Sequence, residues 1–381
     1  MRHFFLLTGS VVVSALLLSQ QLAAAVLPED RADVLYHSYD GGGVKIDGPS
    51  VLVRKSIKGK FSVSANYYVD NVTSASIDVE LSASEYTERR EEKSVGIDYL
   101  HDKTIISMGV TNSEENDYSA NAFRFDVSQD FFGGLSTLSM GYSRGSDEVG
   151  QNSDPEFEEE VDRQHYRFGL SQVLTKNTLL SLNYEAITSE GFLNNPYRQV
   201  RFVDPNDANN FQLENEVYPN TRTSDAVALG LIYYLPYRAA LKTKARYYTD
   251  DWGIDGMTAE LGYTHPFRNR WIFDIKYRYY DQSAADFYND LFPRADFQDY
   301  KARDKELSTF TSHTLGIGVS YALNIDRINF LDRGSLSLYL DHIRFDYDDF
   351  RDATETGVAA GEESLYGFEA NVIRFYFSLF Y

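Results

Sequence analysis

Residues 369–381 read E-A-N-V-I-R-F-Y-F-S-L-F-Y, and this segment constrains the fold more than any other. Ile373, Phe375, Phe377, Leu379 and Tyr381 share one face of an extended strand, because strand side chains alternate with a period of two. A soluble strand averages about 5–6 residues, whereas a tilted strand needs roughly 9–11 to cross a bilayer. The segment meets the second requirement. The alternative is the last strand of a soluble sandwich.

Met1, Arg2 and His3 precede an apolar run over residues 4–18, and Ala23-Ala24-Ala25 follows as an A-x-A pattern. This is expected to be a signal peptide cleaved after Ala25. No other stretch approaches the ~18 apolar residues of a spanning helix, so export without a helical anchor is expected. Of the residues, 15% are aromatic, with 29 Tyr and 25 Phe, yet the mean hydropathy is −0.40. Such a balance suits a barrel with an apolar outer wall, aromatic girdles and a polar lumen. Cysteine is absent, which excludes disulfides, thiolate metal sites and C-x-x-C-H haem attachment, and no cofactor is expected. A net charge of −21 without a basic stripe argues against nucleic acid.

Period-two runs recur along the chain. The clearest cover residues 61–69, 95–100, 104–111, 122–128, 135–144, 163–173, 178–187, 226–234, 239–248, 257–265, 271–280, 311–321, 336–345 and the terminal segment. Residues 49–57 and 33–40 complete an even count. The fold expected is therefore an all-β, antiparallel transmembrane β-barrel of 16 strands, within a range of 14–18, because residues 73–84 could hide another. After residues 1–25 and a short 26–32 segment, residues 33–381 form one domain. Tight turns at 58–59, 101–103, 175–177, 235–237 and 266–269 alternate with long connections at 112–121, 145–162, 191–222, 282–310 and 346–364. Short turns mark the periplasmic side of an outer-membrane barrel. The acidic runs 88–92, 114–117, 147–162 and 346–349 read as solvated loops rather than Ca²⁺ sites, since no ligand spacing matches. The terminal strand then resembles the closing strand of a bacterial outer-membrane barrel, with 373, 375, 377, 379 and 381 as the face read by the barrel-assembly machinery. Outer-membrane lipid and lipopolysaccharide are the expected surroundings.

Charge decides which face looks inward. Lys242, Lys244 and Arg246 alternate with Leu241, Ala245 and Tyr247. Asp274, Lys276 and Arg278 alternate with Trp271, Phe273, Ile275, Tyr277 and Tyr279, and Glu260 joins them from the strand between. A lysine or arginine held against hydrocarbon at the midplane costs roughly 2–4 kcal/mol, so the charged face lines the lumen. Arg124 and Asp126 repeat the pattern between Phe123, Phe125 and Val127. Five cations against two carboxylates form either a constriction favouring anions or a self-satisfied ion-pair lattice. The connection over 191–222 contains Pro196, Tyr197, Arg198 and Arg201 and lacks the acidic look of its neighbours. It is expected to fold inward as a plug with an arginine meeting lumen carboxylates, the alternative being an external hairpin.

No G-x-S-x-G, H-E-x-x-H or G-x-x-x-x-G-K occurs. Asp341 and His342 are adjacent in a strand and point to opposite faces, so they cannot pair in catalysis. His165 is expected to be a lumen hydrogen-bonder, and Ser312 with His313 is the remaining conceivable hydrolase element. The chain is not expected to be an enzyme.

Three segments, A-D-V-L-Y-H-S-Y-D-G-G-G at 32–43, L-N-N-P-Y-R-Q-V-R-F at 193–202 and E-L-S-T-F-T-S-H-T-L-G at 306–316, resemble an uncharacterised proteobacterial family of predicted outer-membrane β-barrels, a domain of unknown function. The resemblance implies the fold and a Gram-negative outer membrane, and it supplies no activity, ligand or catalytic residue. It also suggests association with small lipoproteins and redox proteins of the envelope. Two functions are expected from these observations: a porin-like channel for small solutes, or a plugged barrel scaffold for a periplasmic or lipoprotein partner in an envelope assembly, with an outer-membrane hydrolase behind both.

Overall fold

The computed structural model describes residues 25–74, 77, 86–325 and 330–381. Residues 1–24, on which the expected signal peptide falls, and most of the 73–84 segment lie outside the described residues. Eighteen strands follow in order: β1 (Arg31–Gly41), β2 (Val44–Ile57), β3 (Phe61–Ser74), β4 (Tyr86–His101), β5 (Thr104–Glu114), β6 (Tyr118–Phe131), β7 (Ser136–Gln151), β8 (Asp154–Thr175), β9 (Thr178–Gly191), β10 (Gln199–Asp204), β11 (Asp207–Asn215), β12 (Thr221–Tyr234), β13 (Ala240–Asp250), β14 (Asp255–Phe267), β15 (Trp271–Gln282), β16 (Phe310–Leu323), β17 (Arg333–Arg351) and β18 (Leu365–Phe380). Sixteen form one closed antiparallel barrel, and β10 with β11 forms a separate hairpin between the neighbours β9 and β12. Closure is made by β1 against β18, from Arg31 opposite Phe380 to Gly41 opposite Ala370. The barrel therefore has no free edge to aggregate through.

The outside of this cylinder is apolar. Ile373 and Phe375 of β18 are 43% and 42% exposed, and Trp271, Phe273, Ile275 and Tyr277 of β15 are likewise exposed, while Arg374 and Lys276 between them are more covered. A contiguous apolar wall of this extent on an isolated chain marks contact with a non-aqueous phase. Among the described residues no helix is long and apolar enough to cross a membrane.

Two expected long loops are strand instead. Residues 112–121 belong mostly to β5 and β6, which close through 115–117, and residues 145–162 belong to β7 and β8, joined by 152–153. The acidic runs at 88–92 and 346–349 lie within β4 and β17 rather than in loops. The cause is physical. Outside the hydrocarbon both faces of a strand meet polar surroundings, so the apolar alternation ends while the backbone ladder continues. At about 3.3 Å per residue, the 22 residues of β8 reach about 70 Å, far beyond a bilayer. The connections that do remain long at this end are 192–220, 283–309, which contains one 3₁₀ turn (Lys305–Leu307), and 352–364. At the other end, β2 and β3 join through a tight turn in which Lys58 and Gly59 have φ of 54° and 64°. Such mirror-image turns match the right-handed strand twist.

Candidate functional site: the lumen wall and the outer cap

The register sets β13, β14 and β15 side by side. Lys244 stands opposite Glu260, which stands opposite Arg278. Lys242 stands opposite Gly262, which stands opposite Lys276. All five cations lie on the face away from Leu241, Tyr247, Phe273 and Ile275, which is the inner face. Their pairing is uneven. Lys276 Nζ lies 3.1 Å from Asp341, which Arg374 shares, and Arg246 lies 3.8 Å from Glu185. Asp274 accepts a hydrogen bond from Thr264 and leaves the neighbouring lysine to β17. Lys242, Lys244 and Arg278 make no ion pair within 4.0 Å among the described residues. Arg278 lies instead 5.2 Å from the Tyr280 ring centre, and Arg246 lies 5.6 Å from that of Tyr248.

The rest of the wall is a lattice of paired charges. Arg54 meets Asp98, which Ser107 also bonds at 2.6 Å. Arg167 meets Asp126 at 2.7 Å, with Arg124 on the same carboxylate at 3.2 Å. His165 lies 3.4 Å from Arg167 and 3.9 Å from Glu185. A further buried cluster joins β1, β3 and β4: His37 Nε2 lies 2.7 Å from Asp70 and 3.1 Å from the Tyr68 hydroxyl, and Arg90 meets Glu92 at 2.9 Å. Periodicity does not single this cluster out. Its one sequence signal is the arginine pair inside an acidic run, which local reading assigns to a loop.

The long connections form a second layer at the loop end. Residues 199–215 make the β10–β11 hairpin, while the flanking chain is buried against the barrel mouth. Tyr197 reaches across to two hairpin tips: its hydroxyl bonds Asp117 and accepts from the Asn152 amide at 2.7 Å. Pro196 is half-buried beside it. Arg198 is buried between Asp304 and Glu306, the latter at 3.6 Å. Arg201 is 0% exposed, bonded to Asp290 at 2.5 Å and to both oxygens of Glu363. The carboxylates that meet these arginines therefore come from the connections 283–309 and 352–364, not from the barrel wall as expected. Loop meets loop because all three connections emerge at one end and converge over the mouth.

Arg303 locks the same assembly. Its guanidinium meets Asp290 at 3.0 Å, donates to the Arg351 carbonyl at 2.8 Å and lies 4.3 Å from the Phe350 ring centre. Its backbone amide donates to Glu216 at 2.7 Å, and the Tyr218 hydroxyl donates to the other Glu216 oxygen at 2.6 Å. Burial, reinforced by Asp304 and opposed by Arg198, pushes the Glu216 carboxyl up to about 7. Apolar seams fasten the cap to the inner wall. Tyr218, Trp252 and Phe287 pack together with Tyr248 of β13, and Phe350 packs with Phe310, Tyr347, Tyr366 and Phe368, whose strand positions face inward. Gln282, at the end of β15, donates to the carbonyls of Glu306 and Ser308 at 2.8 and 2.9 Å. Two of the segments that carry the family resemblance, 193–202 and 306–316, thus meet in this cap.

Among the described residues no group of His, Asp and Glu is arranged to hold a metal ion. Asp341 is engaged by Lys276 and Arg374, and His342 faces Asn371 at 3.0 Å on the opposite side of the strand.

Residues 80–334 match the family model described as "Protein of unknown function (DUF3570)". No curated protein matches the sequence. Among solved structures, the chain is similar to a bacterial polysaccharide outer membrane secretin, at 8% identity and a TM-score of 0.53, over 93% of this chain and 99% of that one. It is also similar to the alcaligin outer membrane receptor FauA from Bordetella pertussis (12% identity, TM-score 0.45, 91% of this chain and 58% of that one). A third is the CymD monoaromatic hydrocarbon channel (9%, 0.44, 93% and 89%). The first of these, at 8% identity and a TM-score of 0.53, shows likeness of fold alone, that of an outer-membrane β-barrel.

Proposed function

We propose that this chain, which by the match over residues 80–334 belongs to the DUF3570 family, is a conduit for small anionic solutes across the outer membrane of a Gram-negative bacterium, closed at its outer mouth by a self-bonded cap. The observation that carries this reading is the trio Lys242, Lys244 and Arg278, which makes no ion pair within 4.0 Å among the described residues, in a wall whose other charges are largely paired. Three cations around the single carboxylate of Glu260 leave an excess of positive charge in a sheltered lumen, which a passing anion stabilises, and rings of such charge set selectivity in channels. The function needs no cofactor and no catalytic group. The expected route is export by the N-terminal leader and insertion by the barrel-assembly machinery, which reads the face of 373, 375, 377, 379 and 381, with lipopolysaccharide against the outer wall.

Planar bilayers test the reading. Folded, heat-modifiable protein is expected to give discrete, anion-preferring steps, and Lys244→Glu is expected to move the reversal potential toward cations. A silent barrel would remove the channel. The second reading is a plugged scaffold for a periplasmic or lipoprotein partner, and the interlocked buried arginines of the cap favour it. A silent barrel that co-purifies with such a partner from its native envelope would establish that reading instead.

A further inference from the structure

The two ends of the barrel differ in charge. The loop end carries the acidic runs. At the other end, the turns 58–60, 176–177, 235–239 and 268–270 carry Lys58, Lys60, Lys176, Arg238, Arg268 and Arg270, all exposed. None of the six makes an ion pair within 4.0 Å among the described residues. In a chain of net charge −21, an unpaired basic sector confined to one rim is a specific arrangement. The turn 102–103 is balanced by Asp102 beside Lys103, so the excess lies elsewhere.

Each cation sits within two residues of an exposed apolar side chain. Ile57 and Phe61 flank Lys58 and Lys60, Leu174 precedes Lys176, Tyr237 precedes Arg238, and Phe267 and Trp271 enclose Arg268 and Arg270. The turns 235–239 and 268–270 are neighbours: Arg238 donates to Asn269 at 3.1 Å, and Arg270 reaches the Tyr321 hydroxyl at 3.4 Å. The Arg268 guanidinium lies 5.1 Å from the Phe267 ring centre. Apolar rings at the lipid boundary with cations just beyond them reproduce the depth profile of a phospholipid, whose acyl chains end at a phosphate. A soluble acidic partner would match the cations but would leave the adjoining lipid-facing rings unexplained.

We propose that the short-turn rim binds anionic phospholipid headgroups of the inner leaflet, with Arg238, Arg268 and Arg270 as its strongest sector. Short turns face the periplasm in outer-membrane barrels, and phospholipid lines that side. The proposal does not depend on whether the lumen conducts. It holds the barrel at a fixed depth and tilt through charge at one rim.

The test uses the folded barrel in phosphatidylcholine bilayers containing a trace of spin-labelled phosphatidylglycerol or, in parallel, spin-labelled phosphatidylcholine. The motionally restricted lipid fraction is measured for each. Phosphatidylglycerol is expected to associate about threefold more strongly, with the preference falling toward parity near about 1 M salt, where screening is nearly complete. The combined Arg238→Gln, Arg268→Gln, Arg270→Gln variant is expected to lose most of it while remaining heat-modifiable. Equal association of the two lipids with the unaltered protein would overturn the proposal, as would a preference indifferent to salt. The salt series on the unaltered protein decides even if the triple variant fails to fold.

Discussion

Glu216 shows how a single residue can hold a cap in place and make it sensitive to pH. Its carboxyl is buried and bonded by the Tyr218 hydroxyl and the Arg303 amide, and burial with the charge of Asp304 pushes it to about 7, above the 4.5 of a free glutamate. The closed cap therefore binds the proton more tightly than an opened one. The stability this supplies is complete below about pH 4.5 and is lost as pH rises through about 7, to a total of about 3 kcal/mol at most. Trp252 packs on Tyr218 at a ring separation of 5.5 Å and reports on the same seam. In a Trp271→Phe background, acrylamide quenching of Trp252 is expected to rise between about pH 5.5 and pH 8. Glu216→Gln should flatten that rise, and a rise that persists in this variant would place the titration elsewhere.

At the scale of the strand, the alternation that organises β18 is a partition between two solvents. Phe375 points outward between Arg374 and Tyr376, and its neighbours across the sheet are Leu338 and Tyr36. Phe375→Arg should cost roughly 2–4 kcal/mol of folding stability in lipid if this position lies near the midplane. The same substitution at Asn371, four residues nearer the loop end on the same face, should cost much less, because depth sets the penalty. Urea titration of refolded barrels in phosphatidylcholine vesicles measures both. Equal costs would mean that the face does not meet hydrocarbon at the depth assigned. Strand ends obey a different rule: beyond the bilayer, β4, β7, β8 and β17 run on as polar ladders, with Glu88 and Asp147 buried among them.

The whole molecule consists of a closed wall and a cap that can be disturbed separately. Arg201 joins connections 89 and 162 residues away in sequence through Asp290 and Glu363. Removing it leaves the buried Glu363 without its cation while Asp290 keeps Arg303, and breaking one side of a buried pair typically costs about 3–5 kcal/mol. Few of those contacts involve the barrel ladder, so Arg201→Ala should open the cap and leave the wall closed. The expected signature is unchanged heat-modifiability with higher single-channel conductance. Unchanged conductance together with unchanged protease resistance over 192–220 would show that the cap does not depend on this arginine.

Sequence alone pointed to a closed wall of about sixteen strands, within a range of 14–18, and set Lys244 and Arg278 on the face opposite Leu241 and Phe273, because lipid contact imposes a local rule that any nine or ten residues display. The same rule is silent once a strand leaves hydrocarbon, so 145–162 reads as loop when it is hairpin. Only the tertiary structure decided which cations are paired: Lys276 takes Asp341 from β17 rather than Asp274 two residues away. It also decided that Arg198 and Arg201 meet loop carboxylates instead of the wall. Pairing depends on which distant segments the closed sheet brings to one rim, and a pattern of neighbours along the chain carries no record of that.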